Sequence, residues 1–164
     1  WEILKKKYDI NEDVKILYRK KSDIYASLLP QAELMSGFLS ALNELRKLKK
    51  LKLAVATMSS IRRVNFILNK FKIGYAFDAV LTVEDCNIPK PHPDIYLKTA
   101  GRLKVLPSQC LVVEDSETGV EAAKNAGMFV VAIPNKYTKS HDFSKADRMV
   151  NSFSEITEDF LKSL

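Results

Sequence analysis

Residues 111–119 read Leu-Val-Val-Glu-Asp-Ser-Glu-Thr-Gly, and this run constrains the fold more than any other in the chain. Three apolar residues lead straight into two adjacent carboxylates, and a helix-compatible segment from Gly119 to Ala126 follows. So short an apolar run, bounded by turn residues, reads as a buried strand. A strand ending in paired acids puts negative charge at the carboxyl edge of its sheet, the edge where open α/β sheets bind ligands. Two neighbouring carboxylates without a cation raise each other's pKa. Mg²⁺ would relieve that conflict, because it takes oxygen ligands, commonly one or two carboxylates plus substrate phosphate.

The same grammar recurs along the chain. Leu51 to Ala56 is a second apolar run, ending at Thr57. Ala79–Thr82 and Phe129–Ile133 read as further strands, with Met149-Val150 as a short edge strand. Between them lie helical periodicities. Ile3, Leu4 and Tyr8, then Val14, Leu17 and Tyr18, make residues 1–29 helical, with Asn11 the expected N-cap and Pro30 the stop. Phe38, Leu39, Leu42, Leu45 and Leu48 form the next helix. Ser59 or Ser60 is expected to cap a helix through Ile61, Val64, Ile67, Leu68 and Phe71. Pro89 to Pro93 is a rigid loop, after which Asp94 is expected to cap a helix reaching Leu103. A last helix falls near Ile156 to Leu161. Alternating strands and helices predict an α/β fold, a mostly parallel sheet with helices on both faces.

A chain of 164 residues has room for one domain and a small appendage. Its longest apolar stretch, Ala126 to Pro134, is too short to span a bilayer, and the start lacks the apolar region of a signal peptide, so no membrane partner is expected. Cys86 and Cys110 have no metal-ligand spacing and read as free thiols of a reducing compartment, hence a cytoplasmic protein. The formal charge of +6 is concentrated in Lys5–Lys7, Arg19–Lys21 and Arg46–Lys52. No aromatic residues interleave with these runs, as a single-strand nucleic-acid groove requires, so they read as solvated helix faces.

Three polar positions fall at strand ends or just beyond them: Thr57, Lys90 and the pair Glu114-Asp115. In a parallel sheet those ends share one edge, so the residues converge despite separations of 33 and 24 positions. A hydroxyl, an ammonium and two carboxylates beside helix N-termini suit phosphoryl transfer, which needs positioning and neutralisation of oxygen charge more than covalent machinery.

The ordered segments Leu-Ala-Val-Ala-Thr-Met-Ser-Ser (53–60), Lys-Pro-His-Pro-Asp-Ile-Tyr (90–96) and Cys-Leu-Val-Val-Glu-Asp-Ser-Glu-Thr-Gly-Val-Glu-Ala-Ala-Lys-Asn-Ala-Gly-Met (110–128) resemble the haloacid dehalogenase superfamily. The similarity, from Glu33 to Pro134, is to its phosphatases and phosphomutases of the β-phosphoglucomutase and phosphoglycolate phosphatase type. It implies a Rossmann-like core over residues 30–164 and, in residues 1–29, the end of a helical cap. It also implies roles: Thr57 as the hydroxyl bonded to the transferring phosphoryl group, Lys90 as the lysine neutralising nucleophile and phosphate, and Asp115 as a Mg²⁺ ligand. Glu114 would bind the metal directly or through water, Ser59 would hold substrate phosphate, and Lys21 would reach a small phosphorylated substrate from the cap.

The sequence also departs from the family pattern. Ser36-Gly37 stands where relatives have Pro-Gly, and Pro89 stands where they have Gly before the lysine. More consequential is the nucleophile motif Asp-x-Asp, which occurs nowhere in the 164 residues. The strand that carries it is central in this fold, between the strands ending at Thr57 and Glu114. Without it two edges lose hydrogen bonds at about 1–3 kcal/mol each. The expectation is therefore a C-terminal part of a longer protein, inactive alone, whose intact form is a Mg²⁺-dependent phosphatase or phosphomutase working through an aspartyl-phosphate. A non-catalytic binding or scaffold protein of the same fold is the alternative.

Overall fold

The computed structural model describes all residues from Trp1 to Leu164. The chain divides into two compact units, Trp1–Glu33 and Leu34–Leu164. The first holds α1 (Glu2–Tyr8) and α2 (Val14–Leu28), neither of which has a buried residue. The N-cap of α2 is Asp13, not Asn11: its carboxylate accepts from the Lys15 N–H at 2.7 Å. Asp9 closes α1 in the left-handed conformation, so residues 10–12 are spent on the turn and the helix restarts later than its apolar spacing suggests. A short 3-10 turn, Leu29–Gln31, carries Pro30.

The second unit contains β1 (Ala54–Ala56), β2 (Ala79–Leu81), β3 (Leu111–Glu114), β4 (Phe129–Ala132) and β5 (Arg148–Met149). Every strand pair is parallel. The strands form two sheets, β1-β2 and β3-β4-β5. In the first, Ala54, Val55 and Ala56 face Ala79, Val80 and Leu81. In the second, Leu111 through Glu114 face Phe129 through Ala132. β1 and β3 each have a strand neighbour on one side only. Both are half-buried along their whole length, whereas β4 is buried at three of its four positions.

β1 is also shorter than its apolar run. Leu53 trades strand pairing for Asp78: its N–H donates to the Asp78 carboxylate at 2.8 Å, and its carbonyl accepts from the Asp78 N–H at 2.7 Å. The Leu53 N–H first, and then Arg46 at 2.9 Å from that carboxylate, hold Asp78 below the usual carboxylate range.

Helices cover both sheet faces. Strand alternation sends Val112, Val130 and Ala132 to one face, where α5 (Asp94–Leu103) and α6 (Glu117–Asn125) supply Ile95, Tyr96, Ala100, Val120, Ala122 and Ala123. Leu111, Val113, Phe129 and Val131 point the other way, toward Leu45 of α3 (Phe38–Arg46), Ile156, and Phe160 of α7 (Glu158–Lys162). α4 (Ile61–Lys70) packs Leu68 with Leu42, Ile73 and Ala76 in a smaller cluster. No helix is long and apolar enough to cross a membrane.

Candidate functional site

Because all strands run parallel, β3 delivers Glu114 and Asp115 to the carboxyl edge of its sheet, and α6 starts immediately after them. Ser116 is the N-cap of α6; its hydroxyl accepts from the Gly119 N–H at 3.2 Å and donates to Glu114 Oε2 at 3.1 Å. Gly119 permits this arrangement: a Cβ there would overlap the Glu114 carboxyl group.

Lys90 arrives from the loop before α5. That loop is held from below by Asp94, which opens α5 but does not cap it. The N-cap position falls on Pro93, so the Asp94 carboxylate turns back and accepts from the Asn87 N–H at 2.6 Å and the Ile88 N–H at 3.4 Å. Lys98, one helical turn on, donates to Asp94 at 3.0 Å and to the Asp85 carbonyl at 2.9 Å. These backbone donors, then Lys98, hold the Asp94 pKa down to about 2. Asn125 of α6 donates to the Pro91 carbonyl at 3.2 Å, and the Lys90–Pro91 peptide is cis.

The Lys90 ammonium lies 2.5 Å from Glu114 Oε1, and both side chains are 10% exposed. It donates to the Tyr96 hydroxyl at 2.8 Å and lies 3.5 Å from the Ala56 carbonyl at the end of β1. The Tyr96 hydroxyl in turn donates to Glu114 Oε1. Burial, then the Glu114 charge, pushes the phenol far above its ordinary pKa, so it stays a donor. Glu114 Oε2 accepts from the Asp115 N–H at 3.2 Å besides Ser116. Both Glu114 oxygens are therefore occupied twice, which accounts for the four acceptor sites of a carboxylate. No buried side-chain polar atom is left without a partner. Asp115 differs: Asn135, just beyond β4, donates to its Oδ2 at 2.7 Å, while burial and then the Glu114 charge raise its pKa.

The structure thus brings together Lys90, Glu114 and the end of β1, with Asp115 beside them. Thr57 and Ser59 bond to each other and to the end of β2. The Thr57 N–H donates to the Leu81 carbonyl at 3.0 Å, its Oγ1 accepts from the Ser59 N–H at 3.1 Å, and the Ser59 carbonyl accepts from Val83 at 3.2 Å. Neither serine caps α4 with its side chain. Ser60 occupies the cap position, and the first-turn N–H of Ile61 donates to Glu84 at 3.1 Å. Lys21 lies exposed on α2, in the other unit.

Tyr96 and Asn135 are functional candidates that sequence reasoning passed over. The signal for Tyr96 was that a core tyrosine needs a partner for its hydroxyl. For Asn135 it was its position just past the strand beside β3, at the same edge. No third His, Cys, Asp or Glu joins the acidic pair in a metal-binding group. The raised Asp115 carboxyl suits a cation, and one or two carboxylates fit the habit of Mg²⁺ to complete its shell with water and phosphate.

Comparison with known proteins locates this geometry. Residues 1–133 match the model of the haloacid dehalogenase-like hydrolases. The chain is 34% identical over 141 residues to a bifunctional riboflavin kinase/FMN phosphatase of Arabidopsis thaliana, covering 82% of this chain and 36% of that protein. It is 32% identical over 157 residues to the β-phosphoglucomutase of Bacillus subtilis, covering 94% of this chain and 66% of that enzyme. The crystal structure of CbbY from Rhodobacter sphaeroides in complex with phosphate superposes with a TM-score of 0.81 at 29% identity, over 93% of this chain and 70% of that one. The chain therefore spans roughly a third to two thirds of the length of these two curated relatives.

Proposed function

This chain belongs to the haloacid dehalogenase-like hydrolase family, and from that premise we propose that it carries much of the active site of a Mg²⁺-dependent phosphatase or phosphomutase for a small phosphorylated metabolite. The observation that carries the reading is the buried Lys90–Glu114 pair, flanked by Asp115 and lying against the end of β1. A carboxylate supplied by an additional strand between β1 and β3 would attack phosphorus and form an aspartyl-phosphate as the alcohol leaves. Water or a second hydroxyl then accepts the phosphoryl group. The free edges of β1 and β3 support such a strand, and hence a longer polypeptide.

In this reading Lys90 neutralises the attacking carboxylate and a phosphoryl oxygen. Thr57 Oγ1 accepts from Ser59 and so keeps its own proton to donate to another oxygen. Asp115, with one oxygen fixed by Asn135, would hold Mg²⁺, which supplies charge neutralisation. Glu114, with its acceptor sites filled by Lys90, Tyr96, Ser116 and the Asp115 N–H, acts through Lys90. Lys21 would be a further substrate contact.

The test is phosphate release from a panel of phosphate esters by the full-length protein, with and without Mg²⁺, in wild type and Lys90→Ala. Mg²⁺-dependent turnover that collapses in the variant supports the proposal; no turnover, or turnover indifferent to Lys90, refutes it. The second reading is a non-catalytic binding module of the same fold. Upstream coding sequence that contains a strand ending in Asp-x-Asp excludes that alternative.

A further inference from the structure

We propose that Tyr96 is a positioning residue of this site: its buried hydroxyl, accepting from Lys90 and donating to Glu114, aims the remaining N–H of the Lys90 ammonium at the C-terminal end of β1. The inference rests on the phosphoryl-transfer reading only for what that N–H serves.

An ammonium has three donors and no acceptor. Lys90 commits one to Glu114 at 2.5 Å and one to the Tyr96 hydroxyl at 2.8 Å. The third has only the Ala56 carbonyl at 3.5 Å, too long for a strong bond, and is available to an arriving oxygen next to Thr57. With two donors pinned, the direction of the third is determined. With Glu114 alone, the ammonium could turn about the ion pair and present any of its hydrogens.

The rigid partner in this trio is Tyr96. It lies in the first turn of α5 and is 4% exposed, next to Ile95 at 0% and close to Ala100 at 2%. A phenol has two side-chain torsions, whereas lysine has four, so the ring orients the amine and not the reverse. The hydrogen bonds have one consistent sense, Lys90 to Tyr96 to Glu114, which leaves only the third N–H of Lys90 uncommitted. The ammonium also lies 4.5 Å from the Tyr96 ring centroid. A phenylalanine would keep the ring, its burial and this cation–π contact, and remove the hydroxyl alone. A tyrosine that served only to fill the core would tolerate that change without effect on Lys90.

The experiment is Tyr96→Phe in the protein, read by lysine side-chain ¹H–¹⁵N correlation, with Lys90 assigned through its side-chain carbons. Wild type should show a protected Lys90 ammonium. In Tyr96→Phe, with the melting temperature retained, its exchange with water should quicken about tenfold, the equivalent of one lost charge-assisted hydrogen bond. An unchanged exchange rate and chemical shift overturns the proposal. If the variant does not fold, the wild-type protein with ¹³Cζ-labelled tyrosine decides. A slowly exchanging Tyr96 hydroxyl proton with a cross-relaxation peak to the Lys90 side chain supports it, and absence of that proton overturns it. Neither readout needs substrate or metal, so failure here is distinguishable from failure of the phosphoryl-transfer reading.

Discussion

Gly119 lies where α6 passes over the end of β3, and replacing it with alanine should destabilise the protein although it sits in a helix. The ordinary expectation for Gly→Ala in a helix is a gain of about 0.5–1 kcal/mol. Here the new methyl would overlap Cδ, Oε1 and Oε2 of Glu114. The carboxylate cannot swing aside freely, because Lys90, Tyr96, Ser116 and the Asp115 N–H hold it. Displacing it strands a lysine whose side chain is 10% exposed. Breaking a buried ion pair costs about 3–5 kcal/mol, so after the helical gain the net loss is about 2–4 kcal/mol. For a chain of this size that lowers the melting temperature by roughly 5–15 °C. Urea and thermal unfolding of Gly119→Ala, Glu114→Ala and the double variant form the assay. With Glu114 truncated the overlap vanishes, so Gly119→Ala should then be neutral or stabilising by up to about 1 kcal/mol. A stabilising Gly119→Ala in the wild-type background would refute the placement of Glu114 against α6.

Asp94 has a pKa lowered to about 2, so its clamp on the Lys90 loop is present above the ordinary value of 3.8 and is lost as pH falls toward 2. Hydrogen-exchange protection of the Asn87 and Ile88 amides should fall through that window, and Asp94→Asn should show weakened protection at neutral pH with no further fall through the window. Asp115 has the opposite sign: its raised pKa means that the fold favours the neutral acid below the ordinary pKa and loses that contribution as pH rises through the raised value. Asp115→Asn should therefore raise the metal-free melting temperature at pH 7, with the difference shrinking at acid pH. Added Mg²⁺ should stabilise wild type by mass action and leave Asp115→Asn unmoved in thermal melts.

Much of the fold was legible because strand and helix announce themselves through apolar periodicity. Leu111–Val113 and Phe129–Ile133 became β3 and β4 within a residue, and the helix after Asp94 reached Leu103 as expected. Capping was less legible, since it depends on partners remote in sequence. Glu84 satisfies the start of α4 in place of either serine, and Asp94 serves the preceding loop in place of its own helix. The apolar run at Leu51–Leu53 overstated β1 because Asp78 takes the bonds of Leu53. Within the candidate site, charged residues stood out by type and order, whereas Tyr96 and Asn135 contribute neutral donors, visible only once α5 and the end of β4 are placed around Glu114 and Asp115.

The most direct test of the central claim, that the Lys90–Glu114–Asp115 cluster is a phosphoryl-transfer site, is the Mg²⁺-dependent rate of phosphate release by the full-length protein with Asp115→Asn and Lys90→Ala beside wild type. Turnover in wild type should depend on Mg²⁺ and fall by about 10²–10³ in each variant, the size of effect seen when one group stabilising transition-state charge is removed. Turnover that survives either substitution with both variants folded, or a wild-type rate indifferent to Mg²⁺, would contradict it.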